Sequence, residues 1–577
     1  ESHKRTALAL PCSFLFQKMS SETKATVSRA AADIKPTFDR FVLNSKNYVQ
    51  QYNLVYMARL AEMRAILKKV AVTKWGSDTT ILNKIIDIES PDYQDHHQQQ
   101  STKEYILIGT IYKDMSLRGS VLDEFKEKNG ITGTVQSLYH IASEKDTLAL
   151  EDESGRVALV EPATGQADLR LSSTLVTGVV LAVKGYLNEL GSFQITDSAF
   201  AHTLRTSNNT PSPPVESAPM PTGNSKYLLL ISGLDVGNVP DTSDSSGNAG
   251  STNTAATTAA KSSVLSAQLM MDYVTGRLTE NATDLDIASK IVRVIIAGNS
   301  MSSVEAVPAK ERHYHSKIVQ TLASASPSKQ FDVLLGQLLC DCPADIMPGD
   351  KDPTNLSMPQ QPLHPCLFPH SCRFSTFSRV TNPYTATIGG TLSIMGHSGQ
   401  PVTDIIRQRM DTKRPPLLPP PSSEDDEGNA LMDVETTGSS SSATTSTSKE
   451  KEAAVNATST SLDILQETLA WGHLCPTAPD TLPCYPFDNK DPFIINDEDV
   501  PDVLFAGNQT AFGSRLVTVT APTAPTSTST SATVSSADTA GAKQVRLITI
   551  PKFAETGMGV LVDISTNDLV TTSIQFH

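Results

Sequence analysis

Nearly continuous apolar runs in the second half of the chain constrain its fold most strongly. These runs lie at residues 226–231, 291–297 and 502–506. Runs of this kind are typical of strands that are buried on both faces of a sheet. Helical stripes lie between them at 264–274, 331–339 and 462–471, with Ser461 as the N-cap of the last, and two further strands follow at 545–550 and 559–564. The alternation predicts an α/β sandwich of mixed sheets.

The apolar segments of this half end in short motifs rich in glycine and polar residues. The motifs are ISGLDVGN at 231–238, AGN at 297–299, PGDKD at 348–352 and AGNQT at 506–510. Ligand sites in α/β sheets form at the carboxyl ends of strands. Asp350, Asp352 and Asn355 offer hard oxygen donors that suit divalent metals, whereas the cation of Lys351 would oppose a metal. The sequence therefore predicts a polar site at the strand ends. Its oxygen donors favour a divalent metal, whereas its lysine opposes one.

The first half of the chain has a different periodicity. An amphipathic helix is predicted at about 51–69, followed by strands at 105–112, 147–151, 156–161, 175–183 and 192–196. Five short strands in about ninety residues predict an OB-like β-barrel. Barrels that bind single-stranded nucleic acid carry aromatic side chains over a basic groove. These strands have few aromatics and no basic run, which favours a structural or protein-binding barrel.

Composition divides the chain into parts. We predict an N-terminal extension at 1–37, a helix and OB-fold domain at 38–205, a Pro/Ser-rich linker at 206–225 and the sandwich domain at 226–577. Low-complexity segments interrupt the sandwich domain near 239–262, 411–460 and 521–542. Segments rich in Ser, Thr, Ala or Pro, without aromatics, cannot bury enough apolar surface to fold. We therefore predict that they are insertions in surface loops.

Overall composition narrows the functional classes. The chain has 577 residues and 39% hydrophobic residues, enough for about two to four domains. Its net charge of −15 disfavours binding of nucleic acid by the whole surface. No apolar run is long enough to span a membrane, and the apolar patch at 7–16 lacks the features of a signal peptide. The odd number of cysteines, seven, and their spacings predict reduced thiols in a cytosolic or nuclear protein.

The motifs at the strand ends resemble those of calcineurin-like metallophosphoesterases. That family's pattern is D-x-H, G-D-x-x-D, G-N-H-D/E, a lone His and G-H-x-H, which together hold two metals that activate a water. The matching positions of this sequence, which we predict to be degenerate former-ligand positions, are Gly233, Asp235, Asn299, Ser302, Asp350, Lys351, Asp352, His397, Asn508 and Thr510. Most of these residues cannot replace the family's ligands. The resemblance therefore implies an inactive phosphoesterase fold, with no catalytic residue, metal or cofactor.

An OB-like barrel followed by such a domain resembles the B-subunit family of replicative DNA polymerases, and most closely its polymerase delta branch. The strings that carry this resemblance are FDRF at 38–41, MPGDKDPTN at 347–355, MPQQPLHPCLFP at 358–369, TNPY at 381–384, GHSGQ at 396–400, CPTAPDTL at 475–482, CYPF at 484–487 and, within 505–514, FAGN and FGS. The resemblance covers about residues 38–577 apart from the insertions. It implies a mixed α+β fold, an OB-fold β-barrel plus a calcineurin-like phosphoesterase α/β sandwich.

The resemblance also implies a function. It predicts a nuclear, non-catalytic accessory and scaffold subunit that acts in DNA replication and repair synthesis. Its partners would be the cysteine-rich C-terminal domain of the catalytic subunit of DNA polymerase delta and a third, elongated subunit that links the enzyme to the sliding clamp. Contact with DNA would be indirect or weak, and none with a membrane is expected.

Two hypotheses from other classes remain open at this point. A metal-dependent phosphodiesterase or exonuclease with a partial site would depend on Asp235, Asp350, Asp352 and His397. It predicts metal-dependent hydrolysis of DNA ends. An independent single-strand binder would use the barrel at 38–205 and predicts affinity that falls with salt.

Overall fold

The computed structural model describes residues 29–44, 47–76, 79–88, 104–118, 141–161, 171–206, 225–237, 263–278, 281–302, 314–409, 460–520, 542–566 and 568–576, without the side chains of Thr206, Ser263 and 314–326. The predicted linker and the three predicted insertions fall almost entirely outside these residues. None of the helices in the described ranges is both long and apolar enough to cross a membrane.

The described residues form helices and strands in mixed order. The helices are α1 (Asn53–Trp75), α2 (Leu171–Thr174), α3 (Ser263–Val274), α4 (Ala282–Lys290), α5 (Tyr314–Leu339), α6 (Gln400–Arg407), α7 (460–471) and α8 (Phe553–Thr556). The strands of the first part are β1 (Ile34–Pro36), β2 (Thr80–Ile81), β3 (Tyr105–Asp114), β4 (Thr147–Glu151), β5 (Arg156–Val160), β6 (Val180–Leu187), β7 (Phe193–Ala199) and β8 (Thr203–Thr206). The remaining strands are β9 (Tyr227–Ile231), β10 (Ile291–Ala297), β11 (Ala344–Met347), β12 (Phe377–Arg379), β13 (Tyr384–Ile388), β14 (Leu392–His397), β15 (Val503–Gln509), β16 (Gly513–Thr520), β17 (Ala542–Pro551), β18 (Met558–Asp563) and β19 (Thr571–Gln575).

The five predicted barrel strands are confirmed as β3 to β7. Their order is β3-β4-β5-β7-β6, and β6 pairs back to β3, which closes the barrel. The predicted start of β6 was wrong by five residues. Gly178, with φ +92°, turns the chain before the strand, and a β-carbon there would lie 2.0 Å from the carbonyl oxygen of Pro476. The buried apolar residues before β6 therefore belong to a turn against the sandwich.

Helix α1 covers one side of the barrel. Its buried residues Leu60, Met63 and Leu67 recur at helical spacing and pack with Ile106 and Ile108 of β3. The helix continues past the predicted end and stops at Gly76, whose φ of +80° ends the helical conformation. The predicted stripe was therefore correct and its length was underestimated.

The second half forms the predicted sandwich, and the α+β fold class is confirmed. One sheet, sheet I, has the order β1-β13-β14-β15-β17-β16-β8, and the other, sheet II, has the order β12-β11-β10-β9-β18-β19. Leu228 and Leu230 face the core between the sheets, whereas Leu229 and Ile231 face helices α3 to α5. Burial of alternate residues on both faces explains why β9 reads as a continuous apolar run.

The chain segments on either side of the barrel also contribute to the sandwich. Strand β1 pairs antiparallel with β13, and β8 pairs antiparallel with β16. Strands β13, β14 and β16 were missed from the sequence because polar Thr and Ser residues interrupt their apolar pattern. Ser461 was wrongly predicted as an N-cap, since it lies within α7.

A buried ionic cluster joins the barrel to the sandwich. We call Arg59, His473 and Asp491 the seam triad. Arg59 on α1 has an exposed fraction of 0% and donates to the Asp491 carboxylate at 2.7 Å. It also donates to three backbone carbonyls, those of Gly178, Pro476 and Ala478. One guanidinium thus fixes the helix, the barrel turn and the sandwich in place.

Candidate functional site at the strand ends

Parallel pairing brings the strand-end motifs to one end of the sandwich. Strands β9, β10 and β11 run parallel in sheet II, and β14, β15 and β17 run parallel in sheet I. Backbone bonds continue beyond the strands, from Gly233 N to Gly298 O at 2.9 Å and from Asp235 N to Asn299 O at 3.0 Å. The motifs that are far apart in sequence therefore meet in one place.

Four of the degenerate positions have left-handed backbone conformations: Gly233, with a φ of +65°, and three residues that carry a β-carbon. The φ angles are +49° at Asp235, +54° at Asn299 and +55° at Asn508. Asn and Asp tolerate this region better than other residues that carry a β-carbon. The sharp turns after the strands therefore account for part of the residue choice, independently of any ligand.

Asn508 fills the centre of the site. Its side-chain nitrogen donates to the carbonyl oxygen of Ser398 at 2.7 Å and to that of Ala297 at 3.2 Å. Its backbone N–H donates to Ser232 Oγ at 2.8 Å. A β-carbon at Gly233 would lie 2.8 Å from Asn508 Oδ1. Two facing motifs are therefore in close contact through the amide of Asn508.

Asp352 is turned inward and bound by the backbone. Its carboxylate accepts N–H bonds from Gly349, Ser300 and Met301 at 2.9 to 3.1 Å. Burial raises the pKa of Asp352 to about 6, against the opposing effect of these N–H donors. Asn299 plays a similar role, since its side-chain oxygen accepts the backbone N–H of Lys351 at 3.0 Å. Both side chains hold the loop in shape.

His397 is buried with an exposed fraction of 1%. Its Nδ1 accepts the backbone N–H of Gly399 at 3.1 Å. Burial lowers the pKa of His397 to about 3, so the ring is neutral near pH 7. The side chain therefore supports the turn after β14.

A neutral network of side-chain amides and a hydroxyl lies next to these residues. We call Gln360, Asn382, Ser398 and Gln400 the amide network. The Asn382 side-chain nitrogen donates to Ser398 Oγ at 2.7 Å, to Gln360 Oε1 at 2.8 Å and to Gln400 Oε1 at 3.0 Å. Its oxygen accepts the Ser398 N–H at 3.1 Å, and Gln360 donates on to Gly349 O. The network ties three loops together.

The other degenerate positions lie at the rim. Asp350, Lys351 and Thr510 are exposed, whereas Asp235 and Ser302 are half-buried. The carboxylate of Asp350 is therefore on the surface, while that of Asp352 is buried in backbone contacts. The structure brings the ten positions to one region without making them converge on a common point.

These residues do not fit a two-metal centre. No group of three or more His, Cys, Asp or Glu side chains suited to a metal ion occurs among the described residues. Both oxygens of Asp352 accept backbone N–H groups, and the side-chain oxygen of Asn299 accepts the N–H of Lys351. Asn508 Oδ1 is buried without a hydrogen-bond partner among the described residues, but a single amide oxygen cannot replace the ligands of two metals. A bridged pair of divalent ions needs several carboxylate or imidazole ligands. We derive no metal-dependent step from this geometry.

Sequence reasoning missed the amide network as a structural unit. Its four residues were noted only as parts of three rare sequence motifs, at 358–369, 381–384 and 396–400. The structure shows what unites these strings, because Gln360 pairs with Asn382 through the backbone and Met358 pairs with Cys484. The available signal was the recurrence of Gln and Asn beside proline in segments rich in apolar residues.

The fold and this site define a class of protein: an OB barrel packed on an α/β sandwich whose strand ends are filled by its own side chains. Residues 51–198 match the family described as "DNA polymerase delta subunit OB-fold domain", and residues 258–514 match the family of the B subunits of DNA polymerases alpha and epsilon. The chain belongs to the family of DNA polymerase delta small subunits.

The relatives support this family over nearly the whole chain. The "DNA polymerase delta small subunit" of Arabidopsis thaliana is 31% identical over 556 residues, which cover 96% of this chain and 98% of the relative. "DNA polymerase delta subunit 2" of Drosophila melanogaster is 29% identical, covering 92% and 94%. The "DNA polymerase delta small subunit" of Saccharomyces cerevisiae is 27% identical, covering 92% and 90%.

Proposed function

We propose that this chain is a non-catalytic accessory and scaffold subunit of the nuclear DNA polymerase delta complex. The observation that carries the proposal is the filled strand-end site, in which Asn508, Asn299 and Asp352 bind the protein's own backbone. Family membership gives this site its context. The ten degenerate positions are then former-ligand positions, of which Asn299, Asp352, His397 and Asn508 now shape the loops.

The proposed scaffold connects the C-terminal domain of the catalytic subunit to a third subunit. A bridge must transmit position between two binding partners, and the rigid connection of barrel and sandwich through Arg59 supports this role. The net charge of −15 favours partners with basic faces and leaves most contact with DNA to them. We propose the division at 38–205 and 226–577 as the two parts of this scaffold.

The assembly role is tested by affinity purification of the tagged chain from its native cells, with identification of the proteins that co-purify. We expect a polymerase catalytic subunit and a third subunit in stoichiometric amounts. Recovery of the folded chain alone would contradict the proposal. A variant of the exposed rim residue Thr510, Thr510→Ala, is the matched control and is expected to co-purify the same partners.

The absence of catalysis is tested separately. We expect the purified chain to hydrolyse neither a phosphodiester model substrate nor DNA ends when Mn²⁺ is added, because Asp352 is bound by the backbone and no group of three His, Cys, Asp or Glu side chains suited to a metal occurs among the described residues. Contamination is controlled with Asp350→Ala, which leaves the buried contacts intact. Mn²⁺-dependent turnover that is lost in Asp350→Ala would establish the enzyme hypothesis in place of ours.

A further inference from the structure

Six cysteines lie in the described part of the chain, and they fall into two groups. Cys342, Cys475 and Cys484 are buried, whereas Cys340, Cys366 and Cys372 are exposed. Burial raises the pKa of the Cys342 thiol to about 11 and also raises the pKa values of the Cys475 and Cys484 thiols. Since the thiolate is the reactive form, the buried thiols are inert at neutral pH. Among these six cysteines, the three exposed thiols are therefore the ones that an oxidant can reach.

Two of the exposed thiols are neighbours in the fold. A 3₁₀ turn at Pro365–Leu367 carries Cys366, and the chain then folds back so that Cys372 N donates to Phe368 O at 3.0 Å. Cys372 Sγ lies 3.8 Å from the carbonyl oxygen of Pro365, the residue bonded to Cys366. The Cys372 sulfur therefore lies beside the peptide group that joins Pro365 to Cys366.

The segment between the two cysteines is anchored to the residues on which it packs. Phe368 has an exposed fraction of 0% and packs against Phe331 and Phe377. Asp332 on α5 accepts the backbone N–H groups of His370 and Ser371, both at 2.9 Å. These anchors fix the backbone on which both thiols stand. Little conformational entropy remains to be lost when the two sulfur atoms meet.

We propose that Cys366 and Cys372 form a reversible intramolecular disulfide when the protein meets a hydroperoxide. One thiolate attacks the peroxide oxygen, becomes a sulfenic acid and releases water. The second thiol then attacks the sulfenic sulfur and expels a second water. Two thiols and one hydrogen peroxide thus give one disulfide and two waters. Disulfides in reducing compartments are usually transient sensors of this kind.

Disulfide formation requires that rotation about the side-chain torsions of the two cysteines bring the sulfur atoms together. Disulfide-bonded cysteines have α-carbons ~5.5 Å apart. Both side chains are exposed, so no packed neighbour prevents their rotation. The resulting disulfide closes a surface loop within residues 358–373, a segment that contains Gln360 of the amide network. Oxidation therefore changes the exposed surface of this loop, while the hydrogen bonds of the buried Gln360 are kept.

The test uses the full-length chain, reduced, freed of reductant and exposed to hydrogen peroxide before alkylation with N-ethylmaleimide. Trypsin releases both cysteines in one peptide, residues 352–373. We expect this peptide to carry no alkyl group and to weigh two hydrogen masses less than its reduced form. Treatment with dithiothreitol should make both thiols available to alkylation again. The rate should not change when the protein is diluted about tenfold, because the reaction is intramolecular.

Cys340 provides the matched control, since its thiol is also exposed but lies on a different segment, where Sγ is 3.3 Å from the carbonyl oxygen of Gly336. We expect Cys340→Ser to form the disulfide as the unsubstituted chain does. Cys366→Ser should form none and should instead leave a sulfenic acid on Cys372 that dimedone traps. Full alkylation of both thiols after peroxide treatment would overturn the proposal. Disulfide-linked dimers that disappear with dilution would overturn it as well.

Discussion

The seam triad and the amide network are both buried and polar, but they use opposite chemistry. The seam joins two domains through a full ion pair, with Arg59 and Asp491 side chains exposed by 1% and 0%. The amide network joins loops within one domain through neutral groups centred on Asn382. A buried charge costs far more than a buried amide when its partner is lost. The two regions should therefore respond very differently to substitution.

The tautomer of His473 shows how the seam is balanced. Its Nδ1 accepts the N–H of Cys475, so Nε2 carries the proton and donates to Asp491 at 3.0 Å. Arg59 and His473 together hold the pKa of the Asp491 carboxyl well below its usual range, although burial opposes this. The negative charge of Asp491 is therefore matched by one cation and one neutral donor.

The largest effect is expected from Asp491→Ala. It leaves the Arg59 guanidinium buried without its carboxylate, which should lower the free energy of unfolding by ~3–5 kcal/mol. Urea titration of the full chain measures the loss. The control is Arg64→Ala, which removes a partly exposed pair with Glu153 and should cost ~0.2–1 kcal/mol. Equal losses for the two variants would show that the seam is not an ionic lock.

The next effect concerns pH and involves the seam triad and the strand-end residues beside the amide network. Burial lowers the pKa of His473 to about 4 and that of His397 to about 3, so both stay neutral in the fold while the unfolded chain protonates them below pH 6.5. Stability should therefore fall as the pH drops from 6.5. Asp352 opposes this below pH 6, because its raised pKa lets the folded state bind a proton first. Between pH 6 and 4, the unfolded chain binds one more proton at these three groups than the folded chain does. The free energy of unfolding should therefore fall by about 1.4 kcal/mol for each pH unit of acidification.

Urea midpoints at a series of pH values measure this slope. His473→Gln should remove the part that the seam contributes, and His397→Gln the part that belongs to the strand ends. A midpoint that does not change between pH 6.5 and 4.5 would contradict the buried neutral state of the two rings.

A smaller effect is expected from Asn382→Ala. The substitution removes a donor shared by three acceptors and an acceptor for the Ser398 N–H, and it should cost ~1–3 kcal/mol. Urea titration again measures the loss. Asn83→Ala is the matched control, because the Asn83 amide is exposed and accepts a bond from Lys68 on the surface. If Asn382→Ala cost more than Asp491→Ala, the contrast between neutral and ionic clusters would be wrong.

The smallest effect is expected from Lys351→Ala. The Lys351 side chain is exposed, and its contact with Asn299 is made by the backbone N–H, which the substitution keeps. The free energy of unfolding should change by less than about 0.5 kcal/mol. A thermal melt detects any larger change, which would show that the lysine has taken over a structural role at the strand ends.

Much of the fold could be predicted because local patterns reflect burial. The run at 291–297 became β10 with the predicted bounds, and the strand at 147–151 became β4. The turn before β6 could not be predicted, since Gly178 turns there against Pro476, a residue almost three hundred positions away. Strands β13 and β16 were missed because their Thr and Ser residues face partly buried surroundings that only the sheet defines.

The candidate site, like the fold, could be predicted only in part. The ten degenerate positions could be found because the strand-end motifs resemble those of metallophosphoesterases, and four of them, Gly233, Asp235, Asn299 and Asn508, lie in left-handed turns. The sequence could not distinguish Asp350 from Asp352, two residues apart, one exposed and the other buried in N–H bonds. That difference depends on which way the loop faces.

By itself, the sequence determined the fold class, the strand-end motifs and the family, because periodicity and rare strings are local properties of the chain. Only the tertiary structure decided how the polar residues are used. It directed Asn508 and Asp352 to backbone partners, assembled Asn382 with Gln360, and buried Arg59 beside Asp491. Hydrogen bonding and burial depend on neighbours that are distant in sequence, and these neighbours meet only when the chain has folded.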